Sequence, residues 1–256
     1  MKHAIVMGAS SGIGREVAKL LLEEGWSVGL AARRTEPMEE MRKVYPDLAT
    51  VMRIDITADD APARLLQLVE TMGGVQLYLH ASGIGKQNRQ LEAGIEARTI
   101  ATNVAGFTSM IDTMFGYMAA HGGGHIAVIS SVAGTKGLGP AAAYSASKAF
   151  QSTYIQALEQ LSNSRKLGIS FTDIRPGFVD TDLLTGDSYP MLMQKGPVAR
   201  QIVRAIGRRR HVCVIDWRYR ALVFLWRRLP NWLWRRVCFA PASTLHATPP
   251  KEESVR

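Results

Sequence analysis

The opening of this chain joins a short apolar run, a glycine-rich turn and a helical repeat without interruption, and few folds accommodate that unit. Lys2 to Met7 reads as a buried strand. Gly8-Ala9-Ser10-Ser11-Gly12-Ile13-Gly14 follows directly, and Val17, Ala18, Leu20, Leu21 and Leu22 then recur at helical spacing up to Gly25. Each glycine has its own physical reason. Gly8 permits a sharp turn out of the strand, Gly12 lets backbone approach a pyrophosphate, and Gly14 allows close helix packing. The helix N-terminus offers unpaired N–H groups to the same anion. The spacing Gly-x-x-x-Gly-x-Gly differs from the Gly-x-Gly-x-x-Gly of the commonest dinucleotide site, but the strand-turn-helix context is the same.

The alternation continues along the chain. Strands are expected near 4–7, 26–32, 50–55, 75–80, 125–130, 169–174 and 211–215. Helices are expected near 13–24, 37–44, 59–72, 91–119 with a break near Asn103, 143–163 and 197–207. This order predicts an α/β fold: one doubly wound, Rossmann-type parallel β-sheet with helices on both faces. Ligands then bind beyond the carboxyl ends of the strands. A chain of 256 residues is long enough for a full core in one domain. The expected division is a catalytic domain over 1–216 with a substrate loop near 182–197, an extension over 217–239 and a disordered tail over 240–256. Cys213 and Cys238 have neither metal nor redox spacing, so free thiols in a reducing compartment are expected and no metal site. The first residues run straight into a strand, so no signal peptide is expected, and no apolar run is long enough to span a bilayer. Together these point to the cytoplasm.

The second strand ends in Ala31-Ala32-Arg33-Arg34, with Arg15 just past the glycine turn and no acid before Glu36. An acidic residue at that strand end accepts hydrogen bonds from a ribose diol, whereas an arginine pairs with a 2′-phosphate. The arginines favour NADP(H), with NAD(H) as the alternative, and a solvated basic loop is the plain competing reading. Asp55, ending the third strand, suits an adenine amino group, although a helix-capping role for Asp55 or Thr57 fits as well.

Tyr144 and Lys148 lie four residues apart in Tyr-Ser-Ala-Ser-Lys, on one face of an expected helix. A nearby ammonium favours the phenolate and is expected to bring the Tyr144 pKa down towards neutrality. The pair then serves as proton donor or acceptor for a carbonyl or alcohol.

These motifs are collinear, and together they resemble the short-chain dehydrogenase/reductase family in its NADP(H)-preferring branch. The resemblance runs from residue 4 to about residue 182. It implies a catalytic set of Asn103, Ser131, Tyr144 and Lys148, with Ser130 competing for the serine role. It implies cofactor contacts at Gly8, Ser10, Ser11, Gly12, Ile13, Gly14, Arg33, Arg34, Asp55, Ile56, Ala81, Gly83, Tyr144, Lys148, Pro176, Gly177, Val179 and Thr181. Asn103 is expected to hold a water beside Lys148 that resupplies the proton. A homodimer or homotetramer through the long helices is implied as well. Met7 stands where the family usually has Thr, and His80-Ala81-Ser82-Gly83 where it reads Asn-Asn-Ala-Gly. His80 reads as a structural residue ending a buried strand, with an acid/base role as the alternative. Leu183, Leu184, Tyr189, Met191, Leu192 and Met193 fall in the substrate loop; they suit either an apolar carbonyl or simply the closing of a lid.

The C-terminal segment is unusual. Arg200 to Arg236 hold eleven arginines and one acid, Asp216, and four of the chain's five tryptophans. That stretch carries +10 while the whole chain is +9, so the rest is nearly neutral. Arginine and tryptophan interleaved with aliphatics suit a peripheral membrane contact through 217–239. A lid or subunit contact remains equally open. A nucleic-acid surface would use the same residue types, but no binding motif accompanies them.

Overall fold

A computed structural model describes residues 2–184 and 189–237 of the chain. Seven parallel strands form one sheet: β1 His3–Met7, β2 Ser27–Ala32, β3 Ala49–Arg53, β4 Leu77–His80, β5 Gly124–Ile129, β6 Ile169–Arg175 and β7 Val212–Val214. Their order is β3-β2-β1-β4-β5-β6-β7. The chain winds outward from β1 in both directions, so the crevice opens where β1 and β4 part. All seven expected strands are present. The helices are α1 Gly12–Glu23, α2 Glu36–Val44, α3 Ala61–Thr71, α4 Ala93–Ile100, α5 Phe107–Ala120, α6 Ala142–Ser164, α7 Lys195–Gly207, α8 Trp217–Arg228 and α9 Asn231–Trp234. The break expected near Asn103 is a π-helical turn, Ala101–Gly106, between α4 and α5.

The strands are buried on both faces, which explains their near-continuous apolar runs. One core face packs α1 and α7 through Val17, Leu21, Val198 and Ile202. The other packs α3 and α5 through Leu65, Leu68, Met110 and Met114. Tyr219 and Val223 of α8 join the first face, so the extension begins as part of the core. The tail expected at 240–256 and Cys238 lie outside the described residues; Cys213 is a free thiol.

The register places the glycine turn at the crevice. Met7 pairs with Ala31 on one side and His80 on the other. Gly8 leaves the strand at φ +97°, and a Cβ there would meet Ser82 N at 2.8 Å. A Cβ on Gly14 would sit 2.3 Å from Gly8 O, so α1 presses directly on the turn. No other residue fits either position without moving backbone.

Two buried histidines couple this core to acid. His80 is pushed down to about 3, first by burial and then by the charge of Lys148. His125 is pushed down to about 4, by burial and then by Arg209. Both shifts are downward, so below pH about 6.5 the unfolded chain takes up protons that the folded chain refuses. Stability is therefore expected to fall as pH drops from about 6.5 towards 4, by about 1.4 kcal/mol per pH unit for each histidine. Urea unfolding at stepped pH reads this directly. A flat stability between pH about 6 and 5 would show that these histidines charge freely in the folded state.

Candidate active site

Helix α6, which carries Tyr144 and Lys148, lacks a capping side chain of its own. Glu96 of α4 supplies one: its Oε2 accepts from Ala143 N at 3.0 Å, and its Oε1 accepts from Asn88 Nδ2 at 2.7 Å. This fixes the first turn of α6, where Tyr144 lies. One turn on, Lys148 is buried. Its Nζ donates to Ile129 O and to Gln151 Oε1, each at 2.9 Å. Burial lowers the Lys148 pKa to about 8, while the Asp173 carboxylate pulls the other way.

Ser130 and Ser131 separate cleanly. Ser130 Oγ donates to the buried Asp173 carboxylate and to Ile174 O at 3.2 Å, tying β5 to β6. Asp173 also holds Arg175 Nη2 at 2.6 Å. Ser131 Oγ accepts from Ala133 N at 3.1 Å and lies 3.4 Å from Pro176 O, and its hydroxyl acts on the Tyr144 phenol by lowering its pKa. Ser130 is thus committed to the strand pair, and Ser131 is the serine next to Tyr144.

The expected effect of Lys148 on Tyr144 does not hold in this geometry. Burial raises the Tyr144 pKa above its ordinary value, and only the Ser131 hydroxyl lowers it. The Lys148 ammonium is 5.8 Å from the Tyr144 ring centre and is already taken by two acceptors. At neutral pH Tyr144 is thus a protonated phenol, ready to donate.

Asn103 is fully buried in the π turn. Its side chain grips the loop after β4: Oδ1 accepts from Ile84 N at 2.9 Å and Nδ2 donates to Ile84 O at 2.7 Å. Its backbone carbonyl accepts from Gln151 Nε2 at 2.9 Å. One amide thus spans the gap between the Asn103 carbonyl and Lys148 where a water was expected. Gln151, one turn past Lys148 on the same buried face, and Asp173, an acid inside an apolar strand, were not singled out in the sequence. Their signals were there: helical spacing from Lys148, and a charge where a buried strand has no water for it.

The cofactor-side residues gather at the crevice. Ser11 caps α1 without a side-chain hydrogen bond, which leaves first-turn N–H groups for an anion. Thr181 reaches across, its Cγ2 lying 3.4 Å from where a Gly12 Cβ would stand. Gly83 lies between the Asn103 amide and Lys148; a Cβ there would meet Asn103 Oδ1 at 3.3 Å and Lys148 Nζ at 3.5 Å. Ala81 packs on Gly14 from the loop after β4. Arg33 and Arg34 are exposed just past β2, while Arg15 pairs with Glu40 at 3.3 Å on the surface. Asp55 accepts from Thr57 N at 3.1 Å and Thr57 Oγ1 at 2.8 Å. Burial would raise its pKa, but Thr57, Arg33 and Arg53 outweigh that and lower it. Neither Asp55 nor Thr57 caps α3; Asp60 precedes that helix. A strand-end cradle, an open helix N-terminus and adjacent arginines fit a dinucleotide.

The family model described as short chain dehydrogenase matches residues 2–189. The chain belongs to the short-chain dehydrogenase family. An uncharacterized oxidoreductase of Myxococcus xanthus is 30% identical over 238 residues, covering 90% of this chain and 93% of that protein. An actinorhodin polyketide ketoreductase variant, solved with NADPH, matches with a TM-score of 0.73 at 24% identity, over 84% of this chain and 95% of its own. The 3-ketoacyl-(acyl-carrier-protein) reductase of Brucella melitensis, solved with NADH, matches with a TM-score of 0.75 at 22% identity, over 84% of this chain and 96% of its own.

This short-chain dehydrogenase explains its own departures from the family pattern. His80 Nδ1 shares a 3.0 Å hydrogen bond with Tyr78 OH, and its ring stands edge-on to Phe107 at 5.1 Å. Its strongly lowered pKa keeps it neutral, as a structural residue. Met7 simply fills the core beside Tyr78.

The C-terminal segment packs against the loops after β5 and β6. The Tyr219 ring lies on Gly177, where a Cβ would come within 2.1 Å of Tyr219 Cζ. Tyr219 OH accepts from Phe178 N at 3.0 Å and lies 3.0 Å from Pro190 O. The hydroxyl thus ties Phe178 to Pro190, across the segment that the Val179–Met193 bridge closes. Trp226 Nε1 donates to Thr135 Oγ1 at 2.8 Å, and Lys136 Nζ donates to Leu229 O at 3.0 Å. Arg218, which interrupts the apolar pattern in the sequence, folds back onto Asp216 at 2.9 Å.

Proposed function

We propose that this short-chain dehydrogenase is an NADP(H)-dependent reductase of ketones or aldehydes, with an apolar carbonyl as substrate. The observation that carries it is the half-buried, protonated Tyr144 phenol, set next to Ser131 beside the nucleotide cradle. The bound cofactor supplies the hydride. Ser131 and Tyr144 donate hydrogen bonds to the substrate oxygen, where negative charge develops. Tyr144 Oη gives up its proton to that oxygen. Lys148 places a positive charge next to the reacting groups, and Asn103 holds the loop through Ile84 so that Gly83 stays close to Lys148. The apolar loop residues Leu183 and Met191 to Met193 favour a hydrophobic substrate, a lipid-like carbonyl among them.

Cofactor choice rests on Arg33 and Arg34, since one structural neighbour carries NADPH and another NADH. An NAD-dependent alcohol or hydroxysteroid-type dehydrogenase is the second reading. A non-catalytic sensor has less in its favour, because binding alone does not require Ser131, Tyr144 and Lys148 together. A cytoplasmic homodimer or homotetramer completes the reading. The test is oxidation of NADPH and NADH against ketones and aldehydes graded by size and apolarity. NADPH should dominate, and Arg33→Asp should shift the ratio of the two kcat/KM values by roughly 10- to 100-fold towards NADH, as expected when a charged hydrogen bond is replaced by repulsion. Equal use of both cofactors by the unaltered chain would sink the NADP reading. No turnover in either direction across the panel would sink the enzyme reading.

A further inference from the structure

Helix α8 is apolar on two opposite faces. Tyr219, Leu222, Val223 and Trp226 turn inward against the core. On the other side Trp217, Ala221, Phe224 and Leu225 follow one another at i, i+4, i+7 and i+8 and form a single outward stripe. Trp217 is 68% exposed, Phe224 56% and Leu225 64%, and Trp232 of α9 is open to 61%. Arg220, Arg227 and Arg228 are exposed along the same helix. The Arg228 guanidinium lies 3.3 Å from the Phe224 ring centre, and Arg236 lies 5.7 Å from that of Trp232. Cations thus stand over rings that already face solvent. A large exposed apolar patch of this kind marks a contact surface.

We propose that this face docks on an anionic lipid bilayer. Charge selects the occupant. The stretch from Arg200 to Arg236 has eleven arginines against one acid. A second copy of this chain, meeting the first by two-fold symmetry, would bring the same arginines face to face. A nucleic acid meets the charge but gives Ala221, Leu225 and Leu229 no apolar partner. A bilayer meets both needs: phosphate headgroups for the guanidinium groups, and an apolar layer just beneath for the rings and aliphatics. No helix among the described residues is long and apolar enough to cross the membrane, so the contact lies in the interface plane. The docking does not depend on the reductase reading.

The experiment is sedimentation of the full chain with vesicles of phosphatidylcholine alone and of an equimolar mixture with phosphatidylglycerol. The protein should pellet with the anionic vesicles at low salt and be released as salt is raised. Trp217→Ser, Phe224→Ser and Leu225→Ser together should weaken partitioning roughly tenfold or more, with an unchanged thermal midpoint, because all three side chains are exposed. Arg220→Gln and Arg228→Gln should each cost about fivefold. Failure to pellet at low salt, equal pelleting with both vesicles, or equal pelleting of the triple serine variant overturns the proposal. A change in sedimentation coefficient of the triple variant, without vesicle binding by the parent chain, overturns it in favour of a contact between copies.

Discussion

Tyr144→Phe is expected to lower kcat for carbonyl reduction by about 10²- to 10⁴-fold, the usual size of a lost general acid. The reason lies in what the phenol can do where it sits. Burial raises its pKa and the neighbouring Ser131 hydroxyl lowers it only in part, so near neutral pH it holds a proton. A substrate oxygen gaining charge from hydride arrival needs that proton and that dipole together. The phenyl ring keeps the contact on Gly85, where a Cβ would stand 2.7 Å from Tyr144 Cδ2, so the wall of the site should survive. Cofactor affinity, read by NADPH fluorescence titration, should change little, and the loss should fall on kcat. Turnover within threefold of the unaltered chain, on a substrate the parent enzyme reduces well, would remove Tyr144 from the proton-donor role.

The fold was legible because its signals are local. A buried parallel strand needs an unbroken apolar run, and a turn at a crevice needs Gly8 and Gly14; both are written in consecutive residues. The same holds for the break at Asn103, where Ala-Thr-Asn-Val-Ala-Gly interrupts the helical spacing. The candidate catalytic residues stand out by their spacing and their resemblance to a family. What they do to one another does not, because that depends on burial and on third parties far away in sequence. Lys148 reads as an activator of Tyr144 from helix geometry alone. In the fold its ammonium is committed to Ile129 O and Gln151 Oε1. Ser130 and Ser131 are indistinguishable by type; only the pairing of β5 with β6 brings Asp173 to one of them. The C-terminal arginines and tryptophans suggest an interface in the sequence, which leaves membrane contact, lid or subunit contact, and a nucleic-acid surface as rivals. The helix has two faces, and one of them already packs on the fold through Tyr219 and Trp226.

Gln151→Leu and Gln151→Glu should move the alkaline limb of the kcat–pH profile in opposite directions. The fully buried Gln151 amide accepts from Lys148 Nζ and donates to the Asn103 carbonyl, each at 2.9 Å. It is a positioning residue: it holds the ammonium and the π turn in one hydrogen-bonded chain. Burial already lowers Lys148 to about 8, so Lys148 loses its proton, and the site its positive charge, as pH rises through that region. Leucine removes one of two acceptors from a buried cation. The charged form loses support, so the limb should move to lower pH, with kcat at pH 7 down by roughly 10- to 100-fold for a lost hydrogen bond to a charged group. Glutamate sets a carboxylate against the ammonium, which favours the charged form, so the limb should move to higher pH. A role in packing alone predicts no such opposition: both variants would lower kcat and leave the limb in place. The steady-state rate from pH 6 to 10, measured at saturating cofactor, decides between them.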